Sequence, residues 1–191
     1  VTVNEDSADA EEFTLEASYE DLDVAEQVVA LANQTSVEAT TAADVQTLAD
    51  VDYVTEVTAD GVTSDVTIDT EDSKTLTLKG TIDGNLTVNA PNLTLNMEAT
   101  VTGDVTVVDV ATETFNQDGT IEGDLVVGTV DTPADKALSV NINKSVPTAT
   151  FNKPVTVTGA SNIETAVVKD NGVEMDEDPQ SVDTENSSYD A

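Results

Sequence analysis

The segment Thr81–Val88, TIDGNLTV, returns as TVTGDVTV at Thr100–Val107 and again as TIEGDLVV at Thr120–Val127. Three copies at steps of 19 and 20 residues, each with Gly followed by Asn or Asp at its centre, mark an internal repeat. A period of this length fits one coil of a solenoid built from three short strands. Neighbouring strands lie about 4.8 Å apart, so equivalent residues of successive phrases stand directly above each other. Stacking then places Ile82, Val101 and Ile121 in one inward column, Leu86, Val105 and Leu125 in a second, and Val88, Val107 and Val127 in a third. Val66 and Ile68 extend the last two columns, and Leu76, Leu95 and Phe115 form a fourth. Thr81, Thr100 and Thr120 face outward, where stacked hydroxyls can bond along the column. Gly84, Gly103 and Gly123 mark the corner, where the backbone turns with no side chain in the way.

Working outward, strand-like runs follow one another from Tyr53 to about residue 170, dominated by Thr and Val, whose branched side chains favour the pleated surface. The fold expected for 53–170 is an all-β, right-handed parallel β-helix with about 19–20 residues per coil, its hand following the crossover rule. The alternative is an antiparallel β-sandwich. Against it stand the near-constant step and the scarcity of two-residue hairpin signals, which occur at Asp60, Asp83, Asp118 and Asn171. The stretch GTVDTPADKAL, within 128–150, breaks the register.

Four zones result. Residues 1–20 are an acidic extension with two strand-like scraps, VTV at Val1–Val3 and FTLEA at Phe13–Ala17. Residues 21–52 read as a helical cap: Val24, Val28 and Leu31 share one face, and Asp21 or Asp23 can accept from the first turn. A second short helical turn follows in TTAADVQTLAD, with Thr41 and Asp44 at capping-box spacing. A coil cannot bury its apolar face alone and an open end invites pairing, so the helix around Val24–Leu31 is expected to cover the first coil. The β-helix fills 53–170, and residues 171–191 form an acidic tail expected to be disordered alone in solution.

Composition bounds the chemistry. Acidic residues number 39 against 6 lysines, giving a formal net charge of -33, and Arg, Cys, His and Trp are absent. Nucleic acid and anionic membrane surfaces are disfavoured, and no guanidinium is available to grip phosphate. Thiol, imidazole and ordinary zinc chemistry are excluded, leaving oxygen-held hard cations such as calcium as the metals to consider. No apolar run approaches the roughly 20 residues of a membrane span, so membrane insertion is not expected. A chain opening on Val1 reads either as a processed chain whose export signal has been removed or as one trimmed at its start. Acid-rich, Lys-poor chemistry suits both secreted proteins and proteins of high-salt surroundings, and composition does not separate the two.

The segments SDVTIDTEDSKTLTLKG, GNLTVNAPNLTLNMEATVTGDVTV and PVTVTGASNI resemble the β-helical repeat regions of bacterial cell-surface and surface-layer proteins, in which G-D/N-L-x-V and A-P-N-x-T-L phrases recur. The resemblance covers about residues 60–165. It implies a β-helical fold and an extracellular, cell-surface location, and it implies no activity.

Parallel β-helices that cleave acidic polysaccharides need a basic residue near a carboxylate-bound calcium, or acids flanking the scissile bond. Here Lys74, Lys79, Lys136, Lys144, Lys153 and Lys169 are scattered, so no enzyme is expected. Sugar-binding aromatic platforms are equally scarce: Phe13, Tyr19, Tyr53, Phe115, Phe151 and Tyr189 are the whole set, and Phe115 and Phe151 sit at core positions. Cation binding has a sharper argument. Asp83, Thr102 and Glu122 precede the corner glycines, and Asn85, Asp104 and Asp124 follow them. Asp104 and Asp124 would stand about 5 Å apart on adjacent coils, a repulsion calcium would relieve. Asp104, Asp124, Glu122 and Asp83 are therefore the calcium candidates, against the competing reading of a salt-screened acidic edge. The acidic runs at 60–72 and 170–178 are weaker candidates without EF-hand spacing.

The function expected is an extracellular structural subunit that self-assembles into a surface filament or surface layer. Val1, Val3, Phe13 and Leu15 would add as strands to a neighbouring subunit, a heterologous contact that propagates. The competing reading packs those residues along their own β-helix. The alternative function is a monomeric, calcium-stiffened spacer or adhesin module. The partners expected are the chain itself and cell-surface polysaccharide.

Overall fold

A computed structural model describes residues 2–4, 14–16, 35–110 and 112–184. The chain divides into two units, residues 1–34 and 35–191. In the first, β1 (Thr2–Asn4) and β2 (Thr14–Glu16) pair antiparallel with Val3 opposite Leu15. The helix expected over Val24–Leu31 lies outside the described residues, as do Val1 and Phe13.

The second unit is a parallel β-solenoid of about seven turns, consistent with right-handed winding. Its first turn joins β3 (Ser36–Ala39) to helix α1 (Ala42–Ala49). Successive turns are β4 (Glu56–Val62) with β5 (Val66–Asp69), then β6 (Thr75–Ile82) with β7 (Leu86–Asn89). Next come β8 (Thr94–Met97), β9 (Thr100–Val101) and β10 (Val105–Asp109), followed by β11 (Phe115–Gln117), β12 (Thr120–Ile121) and β13 (Leu125–Val127). The last turns are β14 (Leu138–Ile142) with β15 (Val146–Phe151), β16 (Val155–Thr158) with β17 (Ile163–Val168), and β18 (Val173–Met175) with β19 (Val182–Thr184). One sheet runs from β3 to β18 and the other from β5 to β19.

All of the expected columns form. Ile82 pairs with Val101 and Val101 with Ile121; Leu86, Val105 and Leu125 align, as do Val88, Val107 and Val127; Leu76, Leu95 and Phe115 align in the other sheet. These residues are at most 2% exposed, and the columns continue through Ala149 and Phe151 to Ala166 and Val168. The antiparallel sandwich is thereby excluded for 35–184, where every strand pairing described is parallel.

Two boundaries differ from the sequence reading. The solenoid starts at β3, because Val37 stacks on Val57, and it reaches Thr184, because β18 and β19 continue both sheets into the segment read as a tail. In the break after Gly128, the coil step grows to 24 and 25 residues. The surplus forms a turn outside the coil, pinned where buried Thr132 donates its hydroxyl to Val108 O at 2.6 Å.

Side chains fasten the coils near each end, and one end also carries a cap. The capping box at α1 forms as its spacing predicts: Asp44 N donates to Thr41 Oγ1 at 3.1 Å and Thr41 N to Asp44 Oδ2 at 3.0 Å. That hydrogen bonding from Thr41 holds the Asp44 carboxyl below its usual range. α1 buries Val45 and Ala49 where another strand would lie, and packs on the edge strand β5. There Gln46 imitates a neighbouring strand: its Nε2 donates to Asp69 O at 3.0 Å and its Oε1 accepts from Asp69 N at 2.9 Å. Lys74, half-buried with its side chain 9% exposed, donates to Val51 O at 2.6 Å just beyond the helix C-terminus, a place that favours a cation. At the far end, Asp176 accepts from Gly159 N at 2.9 Å and Ala160 N at 3.2 Å, tying the last turn to the one before it.

Gln46→Ala leaves Asp69 N–H and C=O to water, and the expected cost is about 1–2 kcal/mol of cap stability. Hydrogen exchange at Asp69 is expected to accelerate accordingly, while exchange in β14 to β17 stays unchanged. At the other end, the amide hydrogen bonds from Gly159 and then Ala160 hold the Asp176 carboxyl below its usual range. The stability this adds is present above the ordinary aspartate pKa of about 3.9 and is lost as pH falls through the folded-state value. Amides of β18 and β19 are therefore expected to lose protection first on acidification, and Asp176→Asn, which keeps an acceptor without the titration, to flatten that dependence.

Candidate cation face and assembly ends

The corner glycines explain the site's geometry. Gly103 N donates to Gly84 O at 3.0 Å and Gly123 N to Gly103 O at 3.2 Å, so successive corners lie in direct backbone contact. A Cβ on Gly103 would stand 2.7 Å from Gly84 O and 2.4 Å from Asn85 Oδ1, and one on Gly123 would stand 2.4 Å from Asp104 Oδ1. Glycine is required here for close approach rather than for an unusual backbone angle.

That approach builds a ladder from the residues after the glycines. Asp65 Oδ1 accepts from Asn85 N at 2.9 Å, Asn85 Oδ1 from Asp104 N at 2.8 Å, and Asp104 Oδ1 from Asp124 N at 2.9 Å. Each acidic or amide side chain thus satisfies the exposed amide of the coil above it. The other column forms as well, with Asp83 Oδ1 accepting the Thr102 hydroxyl at 3.0 Å and Glu122 exposed one coil further on.

The four calcium candidates therefore lie on two adjacent outward columns. Asp104 and Asp124 are on neighbouring coils, while the Thr102 coil separates Asp83 from Glu122. Among the described residues no group of three or more acidic side chains is placed to hold a metal ion. Two acids of the weaker runs have internal work: Asp69 meets Gln46 and Asn89, and Asp176 meets Gly159.

A second ladder was missed by the sequence reading. Asn116 Nδ2 donates to Asn96 Oδ1 and Asn141 Nδ2 to Asn116 Oδ1, each at 2.7 Å. The signal was present as an Asn following Leu95, Phe115 and Val140, hidden in the last case by the longer coil step. Of the lysines, Lys79 is held 2.5 Å from Glu56 on the preceding coil; this hydrogen bond lowers the Glu56 pKa and raises that of Lys79.

The ends differ. One carries α1 and Gln46 over β5. The other ends on β18 and β19, the last strands of the two sheets among the described residues, with Val182 39% exposed. Comparison with known protein families, with characterised proteins and with solved structures finds no match for the chain.

Asp104→Asn preserves the acceptor for the Asp124 amide and removes one stacked charge. It is expected to leave thermal stability unchanged or slightly raised at low salt, whereas Asp104→Ala, which orphans that amide, is expected to cost about 1 kcal/mol. A loss of calcium-dependent stabilisation in Asp104→Asn would instead identify a bound cation.

Proposed function

We propose that the chain is an extracellular structural subunit that assembles through its ends into a filament or surface layer. The observation that carries this reading is the inequality of the two solenoid ends among the described residues: one bears a fitted cap, while the other closes on β18 and β19, with Val182 exposed. Unequal ends suit a heterologous contact, which propagates unless its rotation closes a ring. The β1–β2 pair supports the strand-addition mode, because two strands of three residues are marginal alone in water and gain by joining a larger edge. In this reading Val3 and Leu15, with Val1 and Phe13, belong to the contact.

The stacked Asp104 and Asp124 favour a second reading, a monomeric spacer or adhesin module stiffened by calcium. Cell-surface polysaccharide would then be its natural neighbour.

Electron microscopy of the full chain, with millimolar calcium and with chelator, separates the two. Regular filaments or sheets are expected, and deletion of residues 1–20 is expected to abolish them while the β-sheet circular dichroism persists. Separate short rods under every condition would overturn self-assembly. A melting temperature that rises strongly with calcium in such rods would establish the spacer.

A further inference from the structure

The sequence contains the acceptor pattern for N-linked sugar, Asn-x-Ser/Thr with x not Pro, at Asn33, Asn85, Asn92, Asn143 and Asn186. In a chain so rich in Thr the pattern arises readily from composition, so its number argues nothing. Its placement in the solenoid does.

Asn33 and Asn186 lie outside the described residues. At Asn85 and Asn92 the middle residue of the pattern, Leu86 or Leu93, is fully buried, and Thr87 or Thr94 belongs to a strand. Both asparagines are also committed between coils. Asn85 donates to Asp65 and accepts from Asp104 N, at a corner too tight for a Cβ on Gly103. Asn92 donates to Glu71 O and accepts from the Thr112 hydroxyl.

Asn143-Lys144-Ser145 differs in its place: none of its residues is buried or belongs to a strand. It forms the turn between β14 and β15, and all three residues are exposed. Its backbone is held from beneath by Gln117, a fully buried amide: Asn143 N donates to Gln117 O at 3.0 Å and Lys144 N to Gln117 Oε1 at 3.0 Å. Asn143 Nδ2 donates to Asp118 Oδ1 at 2.8 Å, which uses one amide hydrogen and leaves the second for substitution.

We infer that Asn143 is a glycosylation site, the acceptor for a sugar delivered from a lipid-linked glycosyl phosphate or diphosphate. The Asn143 amide nitrogen attacks the anomeric carbon; the C–N bond forms as the C–O bond to phosphate breaks. The lipid phosphate departs with the electron pair, and the amide proton passes to a base of the transferase. No oxidation or reduction is involved. The product keeps one N–H for Asp118, so the folded turn accepts the sugar without losing its hydrogen bond. This inference rests on the extracellular reading, since the transferring enzymes act on exported chains.

The test is mass spectrometry of the full-length protein recovered from its own cells and from their surface and medium. The tryptic peptide of residues 137–144 is expected to carry a glycan mass localised to Asn143, with Asn85 bare. Ser145→Ala, which leaves Asn143 and its bond to Asp118 in place, is expected to remove the modification, and Ser145→Thr to retain it. An extracellular protein wholly unmodified at Asn143 would overturn this inference while leaving the extracellular reading intact. Sugar on Asn85 with Asn143 bare would overturn it as well. A protein confined to the cell interior and unmodified would overturn both.

Discussion

The spacing between parallel strands, about 4.8 Å, is the constraint from which the rest of this molecule follows. A coil that must repeat at that height aligns equivalent residues, and each outward or inward position then becomes a column of like side chains. Inward, the result is continuous apolar packing from Val57 to Val168. At the corners, only a residue without a side chain permits the approach of Gly103 to Gly84 and Gly123 to Gly103.

The same spacing gives the acidic composition a structural use. A carboxylate or amide on one coil reaches the free amide of the next, as Asp65, Asn85 and Asp104 do in turn. Asp44 serves a helix N-terminus and Asp176 a tight turn in the same way. Charge repulsion still accumulates in a chain of formal charge -33, and ionic strength is the lever that relieves it. Acids that accept backbone amides are thereby distinguished from those, such as Glu122, that face only solvent.

What the sequence made legible was whatever depended on the period. The columns through Ile82, Leu86, Val88 and Leu76 followed directly, and the Thr41–Asp44 cap followed from local spacing alone. What escaped depended on partners distant in the chain. β3, β18 and β19 are short and half polar, and they are strands only because a neighbouring coil templates them. Gln46 looks like any surface glutamine of a helix until Asp69 is placed beside it, 23 residues away. The spacing of Asp104 and Asp124 gives their neighbouring coils, but it says nothing of which oxygen meets a backbone amide.

Asp176 has a mechanical meaning beyond its titration. In a linear stack each coil is held only by its neighbours, so a load applied along the axis is borne by every interface in series. The turn that Asp176 fastens to Gly159 is the outermost such interface at its end among the described residues, and its two strands are only three residues each. A load that opens this coil releases its two strands while the interior coils stay paired on both sides. The clasp thus sets how readily this end coil of the solenoid yields, and acidity loosens it.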